Sequence, residues 1–332
     1  MSLDFAIVVF VASLVLTVVS SVVLAEVVDR VGHRLGLSEA ALGILTALAA
    51  DAPEISAAIT AIQGSQAGLG FGVVVGSSIF NIAALLGLSA VIAGKVSIGR
   101  RALAFEGAMV VLATVISAVL VLGWGGPVPV LAVFAVAFTL YAAVCALGPD
   151  TLRRVVRFRP ARDFLVAALS SVNQDIGPGR RAPVASRHDI YTLVPALTAV
   201  VLGSVGLVRT SVKIGAQVGI SQVVIGTLVL AALTGLPNVL AAVRLALRHR
   251  GSAVVSEALN SNTLNLLLGL VLPALVAGVA PPTSTTELSV AWLVGITVVA
   301  LALTAYRGGL SRGEGVAVIA LYAIFVVTLV TG

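Results

Sequence analysis

The sequence predicts an all-α, polytopic membrane protein with ten transmembrane helices in two inverted five-helix repeats. Of its 332 residues, 59% are hydrophobic and 10% are charged, against roughly 25% charged in an average soluble domain. Several apolar runs exceed the roughly 20 residues that span a bilayer as a helix. A pattern of Pro, Ser and Asn also recurs along the chain. This composition excludes an ordinary soluble enzyme.

Apolar runs bounded by Gly, Pro or charged residues predict the ten spans. They lie at residues 5–27, 38–63, 68–94, 101–123, 127–148, 189–212, 220–247, 252–279, 287–306 and 313–331. The first run follows no basic segment and is too long for the core of a signal peptide, so it is interpreted as the first membrane helix. The chain has one cysteine, Cys145, which excludes an intramolecular disulfide.

The distribution of basic residues predicts the orientation. If the N-terminus lies outside, 18 of the 20 Lys and Arg residues fall in inner segments, and only Arg209 and Lys213 lie outside. We therefore expect an integral protein of the cell (plasma) membrane with both termini outside. The net charge of +6 then reflects topology in the lipid bilayer rather than binding to nucleic acid. Protein partners are not indicated.

One long connection divides the chain. Residues 149–188 are rich in Arg and contain Pro160, Pro178 and Pro183, which predicts a cytoplasmic linker between a first five-helix repeat at 1–148 and a second at 189–332. The basic linker is interpreted as a topology determinant, with binding to anionic lipid as the alternative.

The two halves carry an internal repeat at an offset of 184 residues without a gap. The matched pairs are Pro53 with Pro237, Ala57 with Ala241, Ala58 with Ala242, Ser77 with Ser261, and Asn81 with Asn265. Pro, Ser and Asn are scarce in membrane spans, so their common register favours duplication. The copies begin five spans apart, and an odd separation makes them cross the membrane in opposite directions.

Each repeat is interrupted by a proline within its second span, at 49–54 and at 233–238. Proline lacks an N–H and clashes with the carbonyl four residues earlier, so it frees backbone oxygens. In transporters with inverted repeats, such broken helices meet near the midplane and form the substrate site.

Two carboxylates accompany the first interruption. Asp51 and Glu54 lie near mid-membrane on one helical face, where an ionised carboxylate costs roughly 2.5 to 3.5 kcal/mol on insertion scales. No Lys or Arg occurs at a similar depth to pair with them. The counter-charge is interpreted as a transported cation or proton, and the alternative is a pair kept neutral by burial and hydrogen bonding.

Neutral oxygen ligands follow in both repeats, because Ser and Asn recur four residues apart on one helical stripe. Hard cations such as Ca²⁺ and Na⁺ take several oxygen ligands. The predicted cation ligands are Asp51, Glu54, Ser77, Asn81, Thr234, Asn238, Ser261 and Asn265. The polar side chains among them also have an alternative interpretation as contacts between helices.

Other polar residues receive weaker interpretations. Glu106 and Glu257 lie nearer predicted inner ends, and Glu26 ends the first span, so they are interfacial or gating candidates. No HExxH motif and no Ser/His pair within the membrane is present. The sequence therefore predicts no catalytic residues, no enzyme and no cofactor beyond a transported cation.

At these residues the sequence resembles the sodium/calcium exchanger membrane domain of the Ca²⁺:cation antiporter superfamily. That family has ten helices in two inverted repeats, each with a G-T-S-x-P-E segment and a later G-S-x-x-x-N/D segment. The resemblance covers nearly the whole chain. It implies that Glu54 takes the place of a family glutamate and Asn81 that of an asparagine. Further matches to family positions are Ser77, Ser261, Thr234, Pro53 and Pro237.

The sequence also departs from the family pattern. Asn238 stands where the family usually has its second glutamate, and Asn265 stands where aspartate is frequent. Ala50 and Asp51 replace the first Thr-Ser, and Gly235 replaces the second Ser. Two carboxylates remain, both from one repeat. Because Ca²⁺ affinity rises with ligand charge, the sequence leaves selectivity and coupling open.

These observations favour a secondary active antiporter that exchanges Ca²⁺ for Na⁺ or H⁺ by alternating access, the default that the resemblance implies. One alternative is an exchanger of monovalent cations or protons, which the missing carboxylates favour. Another is a membrane sensor or ion-binding protein that keeps the scaffold without transport.

Overall fold

The computed structural model describes residues 2–173, 187–279 and 281–331 as a bundle of helices. The first half contains α1 (Leu3–Arg34), α2 (Glu39–Ala50), α3 (Ala52–Gln63), α4 (Ala67–Asn81), a π-helical segment (Ile82–Leu88), α5 (Ser89–Ala93), α6 (Arg100–Val121), α7 (Pro127–Val155) and α8 (Arg159–Asn173).

The second half has a similar order, with an additional π-helical segment in its broken span. It contains α9 (Arg187–Val218), α10 (Gln222–Val224), a π-helical segment (Ile225–Leu230), α11 (Ala231–Thr234), α12 (Leu236–Leu247), α13 (Gly251–Leu264), a π-helical segment (Asn265–Val271), α14 (Leu272–Ala277), α15 (Ser284–Arg307) and α16 (Arg312–Thr331).

The described residues provide ten membrane spans. Eight helices are each long and apolar enough to cross a bilayer, and two further spans are bent pairs. The first pair bends by 49° between α2 and α3, and the second by 45° between Thr234 and Leu236. The ten predicted spans and the two predicted interruptions are confirmed.

The helix bounds show the duplication directly. α1 begins 184 residues before α9, and α3 corresponds at the same offset to α12 at both ends. The turns that follow α3 and α12 also match, because Ser65 (φ 59°) and His249 (φ 56°) hold the same left-handed conformation. Equivalent helices lie five spans apart, so the two five-helix repeats are inverted.

Short polar residues begin several of these helices. Ser38 Oγ accepts the backbone N–H of Ala41 at the start of α2, and Ser221 Oγ accepts that of Val224 at the start of α10. These bonds satisfy N–H groups that the first turn leaves without partners. Pro53 and Pro237 occupy the first turns of α3 and α12, where the missing N–H costs least.

The core lies around α4 and α13, because the spans that contain these two helices are mostly buried inside the bundle. α1 and α9 lie outside this core and pack along each other. Gly203 of α9 faces Thr17 of α1, and a Cβ there would come within 2.2 Å of the Thr17 hydroxyl. The third helix of each repeat is therefore central, and the first helix peripheral.

A two-stranded antiparallel sheet ties the repeats together at one end of the bundle. β1 (Lys95–Ser97) pairs with β2 (Gly309–Ser311), and Ser252 of α13 donates to the Ser97 carbonyl oxygen at 3.2 Å. We call this end the basic end, because α1 ends there at Arg34 and α6 begins there at Arg100. The sequence pattern did not predict these strands.

The predicted linker at 149–188 contains structure that was not predicted. α7 continues through a kink at Gly148 (φ 67°) as far as Val155, and α8 follows from Arg159. The Gly99 amide donates to Ser171 Oγ of α8 at 3.1 Å, which ties α8 to the start of α6. Residues 174–186 lie outside the described part of the chain.

Candidate functional site

The broken spans place two hinges at the centre of the molecule. Asp51 separates α2 from α3, and Gly235 separates α11 from α12. The breaks leave carbonyl groups without helical partners, and side chains of the peripheral helices bind some of them. Ser21 Oγ of α1 lies 3.2 Å from the oxygens of Ala49 and Ala50.

Both predicted carboxylates lie at the first hinge and are fully buried. Asp51 Oδ1 accepts hydrogen bonds from Asn238 Nδ2 and Ser261 Oγ, each at 2.6 Å. Asn238 Nδ2 lies 3.4 Å from Glu54 Oε1 as well. Asp51 Oδ2 and Glu54 Oε2 are buried and accept no hydrogen bond. One amide group of the second repeat therefore lies between the two acids of the first.

The hydrogen bonds extend to the third span of each repeat. Asn81 Nδ2 on α4 donates to Ser261 Oγ on α13 at 2.9 Å. The network thus joins the two hinges to both central helices. The amide oxygens of Asn81 and Asn238 are buried without a donor. Five of the eight predicted ligands form this one network: Asp51, Glu54, Asn81, Asn238 and Ser261.

The other three predicted ligands are fully buried but do not bond to this network. Ser77 donates to the Val74 carbonyl at 3.1 Å, and Thr234 donates to that of Leu230 at 2.7 Å. Each hydroxyl oxygen keeps a lone pair for another partner. Asn265, one turn after Ser261, has no partner for either side-chain polar atom.

The chemistry of the site fits a hard cation. No Lys or Arg in the described ranges forms a salt bridge with Asp51 or Glu54. Buried polar groups normally have partners, and unpaired buried charge is costly. The orphaned carboxylate and amide oxygens are the ligand types that Ca²⁺ and Na⁺ take. Within the described residues no group of three or more His, Cys, Asp or Glu side chains forms a metal cluster.

π-helical geometry adjoins the site in both repeats. One π segment begins directly after Asn81, and another begins at Asn265. A third, Ile225–Leu230, precedes Thr234. π-bulges are rare and occur frequently at functional sites. They change the rotation of the helix next to each ligand position, which sequence periodicity does not reveal.

Two cavities approach the site from opposite ends. The first, about 290 Å³, extends from Arg248 at the basic end to Ala50 and Pro237, the neighbours of Asp51 and Asn238. We call it the basic-end cavity. The second, about 670 Å³, lies between α3 and α9 and includes Arg209 and Ser56, two residues after Glu54. We call it the opposite cavity.

The sequence did not single out the residues that support the hinges. Ser21 and Ser204 are buried in α1 and α9, and Ser204 Oγ lies 3.3 Å from the Pro53 carbonyl oxygen. They lie 183 residues apart, one position out of register with the repeat, so the offset of 184 does not pair them. A search for buried small hydroxyl residues at corresponding depths would have found them.

The chain is an integral membrane protein with two inverted repeats, and its broken helices meet at the centre. This is the architecture of many secondary transporters. A sequence model of the family described as "Sodium/calcium exchanger protein" matches residues 5–148 and 188–331. The chain belongs to this family. The resemblance noted in the sequence is thereby confirmed.

One curated relative is the sodium/calcium exchanger MaX1 of Methanosarcina acetivorans, 31% identical over 145 residues. This match covers 42% of the present chain and 40% of the relative, so it spans less than half of the relative's length.

Solved structures share the fold over almost the whole chain. The sodium-calcium exchanger NCX_Mj, soaked with Na⁺ and Sr²⁺, aligns with a TM-score of 0.65 and 22% identity, covering 97% of this chain and 98% of the other. The H⁺/Ca²⁺ exchanger CAX aligns with a TM-score of 0.73 and 16% identity, covering 98% and 87%.

Proposed function

We propose that the protein is a secondary active cation antiporter that exchanges Ca²⁺ for Na⁺ or H⁺ by alternating access, and that it has no enzymatic activity. The observation that carries this proposal is the pair of buried carboxylates at the hinge. Asp51 and Glu54 each keep one oxygen without a partner, and both repeats supply neutral oxygens around them. Membership in the exchanger family supports the same reading.

In this proposal, Asp51 and Glu54 supply the negative charge that binds the cation, and the amides and hydroxyls complete its coordination. Asn81, Asn238 and Asn265 supply amide oxygens, while Ser77, Thr234 and Ser261 supply hydroxyl oxygens. Ca²⁺ takes six to eight oxygens at about 2.3 to 2.6 Å. The eight side chains, two of which are carboxylates, together provide enough oxygens for such a coordination shell.

The two cavities support alternating access. The basic-end cavity reaches the residues next to Asp51, and the opposite cavity reaches Ser56, close to Glu54. A small rearrangement of helices around the hinges would open one route while it closes the other. The five-helix units at 1–148 and 189–332, joined by 149–188, are proposed as the repeats that move.

A second candidate is an exchanger of monovalent cations or protons. The observation that favours it is the replacement of charge by amides at Asn238 and Asn265. Fewer charged ligands lower the affinity for a divalent ion more than that for a monovalent one, because the Coulomb attraction scales with ion charge.

Flux measurements on reconstituted vesicles test both candidates. Gradients of Ca²⁺, Na⁺, K⁺ and pH are imposed separately, and uptake of each ion is followed. Ca²⁺ uptake driven by an outward Na⁺ or H⁺ gradient supports the first proposal. Na⁺ or K⁺ flux driven by pH without Ca²⁺ movement supports the second. Binding without any flux would contradict both and favour a sensor.

We also propose that the basic end faces the cytoplasm and that both termini lie outside the cell. The positive-inside rule supports this orientation. Labelling of single introduced cysteines tests this orientation. The background is Cys145→Ala, which removes the one native cysteine, a buried residue. Val155→Cys lies at the basic end and Trp124→Cys at the other, both on exposed side chains. An impermeant maleimide added to intact cells should label Trp124→Cys alone, and the reverse pattern would contradict the orientation.

A further inference from the structure

A second buried carboxyl group lies outside the cation site. Glu106, on α6, is 6% exposed, and its Oε1 accepts a hydrogen bond from Ser256 Oγ of α13 at 2.8 Å. Its Oε2 is buried without a partner. No Lys or Arg in the described part of the chain forms a salt bridge with it.

In the described part of the chain, the helices packed against Glu106 carry their basic residues near the helix ends. α7 contributes Tyr141 and Cys145, which are neutral side chains near neutral pH, and α13 carries Glu257. The π segment Asn265–Val271 contains no titratable residue. The other ionisable side chains of α6, α7, α8 and α15 lie near the ends of their helices: Arg100, Arg101, Asp150, Arg153, Arg154, Arg159, Arg162, Asp163, Glu287, Tyr306 and Arg307. A bound proton is therefore the simplest way to neutralise this carboxyl group.

The group has a route to water. Ser256, the donor to Glu106, lines the basic-end cavity together with Glu257. A serine hydroxyl both donates and accepts, so it can pass a proton between the cavity and the carboxyl group. Further along α13, Asn260 accepts from Tyr141 Oη at 2.6 Å and directly precedes Ser261 of the cation site. The cluster therefore lies between the basic-end cavity and the central network.

We propose that Glu106 is a proton-binding site, separate from Asp51 and Glu54, that exchanges its proton with the basic-end cavity through Ser256. The Ser256 hydroxyl first rotates so that its hydrogen faces the cavity; its oxygen then accepts the proton of the Glu106 carboxyl group while its own hydrogen passes to water. The reverse steps reload the group. No oxidant or co-reactant is needed. Proton binding by Glu106 does not depend on the proposed transport. Its use as a relay for the counter-ion does rest on that proposed function.

Infrared spectroscopy tests proton binding without any transport assay. The background is the purified chain with Asp51→Asn, Glu54→Gln and Glu257→Gln, which removes both central carboxyl groups and that of Glu257, whose Oε2 is also buried without a partner. A band from a protonated carboxyl group is expected at neutral pH. Glu106→Gln should remove the band, whereas Glu26→Gln, which neutralises an exposed carboxylate lining the same cavity, should leave it. Ser256→Ala should slow the shift of the band in D₂O. A band that survives Glu106→Gln, or no band at all, would overturn the site.

Flux measurements test the relay role in the otherwise native chain. Gln reproduces the shape and neutrality of protonated Glu, so Glu106→Gln should fold and keep its apparent Ca²⁺ affinity. Its flux should depend less steeply on pH at the basic end than that of the wild type. An unchanged pH profile overturns the relay but not the proton site. A wild type without flux overturns the proposed function, and the infrared result still decides the proton site.

Discussion

Individual residues make the site asymmetric although the backbone is repeated. The first repeat supplies Asp51 and Glu54, while the second supplies Gly235 and Asn238 at the matching positions. The residues that differ between the repeats bind each other, because Asn238 Nδ2 of the second repeat donates to Asp51 Oδ1 of the first at 2.6 Å. An amide can donate from one end and coordinate a cation from the other. Asn238 Oδ1, which has no hydrogen-bond partner, can therefore bind a cation while Nδ2 keeps its hydrogen bond to Asp51.

Glu54→Gln should abolish ion-coupled flux and leave the protein folded. The change removes a central charge while it keeps the volume of the side chain. Flux into vesicles and thermal unfolding are measured together. Glu287→Gln, which neutralises an exposed carboxylate in the first turn of α15, is the matched control and should behave as the wild type. Unchanged flux in Glu54→Gln would remove Glu54 from the site.

Asn238→Glu should raise the affinity for divalent cations. A third carboxylate beside Asp51 and Glu54 adds repulsion that a cation relieves, so thermal stability should fall without Ca²⁺ and recover as Ca²⁺ is titrated in. The control is Asn262→Glu, because Asn262 is also fully buried but donates to the Ser78 carbonyl at 3.0 Å.

Asn262→Glu should lose stability that Ca²⁺ does not restore, since it leaves an unpaired buried carboxylate. If Asn238→Glu shows the same loss without recovery, Asn238 is not a ligand position and the alignment of the repeats is wrong there.

α4 crosses the π segment Ile225–Leu230 at close range. Gly76 lies in this crossing, and a Cβ there would come within 2.3 Å of the Thr227 carbonyl oxygen. From the other side, a Cβ on Gly226 would lie 2.4 Å from the Leu69 oxygen. Because these neighbours are backbone atoms, they cannot move aside as a side chain does. The glycine before Ser77 is thus explained by contact between helices.

Gly76→Ala should destabilise the protein by about 1 to 3 kcal/mol, the usual cost of overpacking. Gly43→Ala on α2 is the control, since no atom lies within 4 Å of its added Cβ and Ala favours the helix by roughly 1 kcal/mol over Gly. Thermal unfolding in detergent measures both variants. A Gly76→Ala protein as stable as Gly43→Ala would show that the crossing tolerates a wider spacing.

Sequence patterns predicted the elements that carry strong local signals. The apolar runs gave ten spans, and Pro53 and Pro237 marked both hinges, because a proline changes the backbone wherever it lies in a helix. The π segments and the β1–β2 pair were not predicted. Val96 of β1 pairs with Leu310 of β2, and such a contact depends on the whole fold rather than on either short segment.

In the cation site, too, residues with a strong local signal in the sequence were predicted, whereas residues that depend on the packing of the whole molecule were not. Asp51 and Glu54 were predictable because charge is rare in a membrane span, and the repeat pointed to Asn238. Ser21 and Ser204 were not predicted, since the repeat does not pair them and only their bonds to hinge carbonyls distinguish them. Glu106 was predicted to lie near an inner end, and its burial against Ser256 emerges only from the packing of α6 on α13.

The charge of the whole site sets the coupling expected of the exchanger. Asp51 and Glu54 together carry two negative charges when ionised, and one Ca²⁺ neutralises them. Two Na⁺ ions or two protons also neutralise them, whereas a third monovalent ion would leave an uncompensated charge within the membrane, which is costly. We therefore expect two monovalent ions to exchange for each Ca²⁺, so that no net charge crosses the bilayer.

Vesicles held at a K⁺ diffusion potential of about 100 mV test this stoichiometry. One net charge moved across that potential is worth about 2.3 kcal/mol, or about 50-fold in the steady-state Ca²⁺ ratio. The wild type should show no shift in this ratio between zero and full potential. Asn238→Glu adds a third negative charge that can carry a third monovalent ion, so its ratio should become dependent on the potential. A wild-type ratio that already follows the potential would mean that a further ligand charge, beyond Asp51 and Glu54, enters the transport cycle.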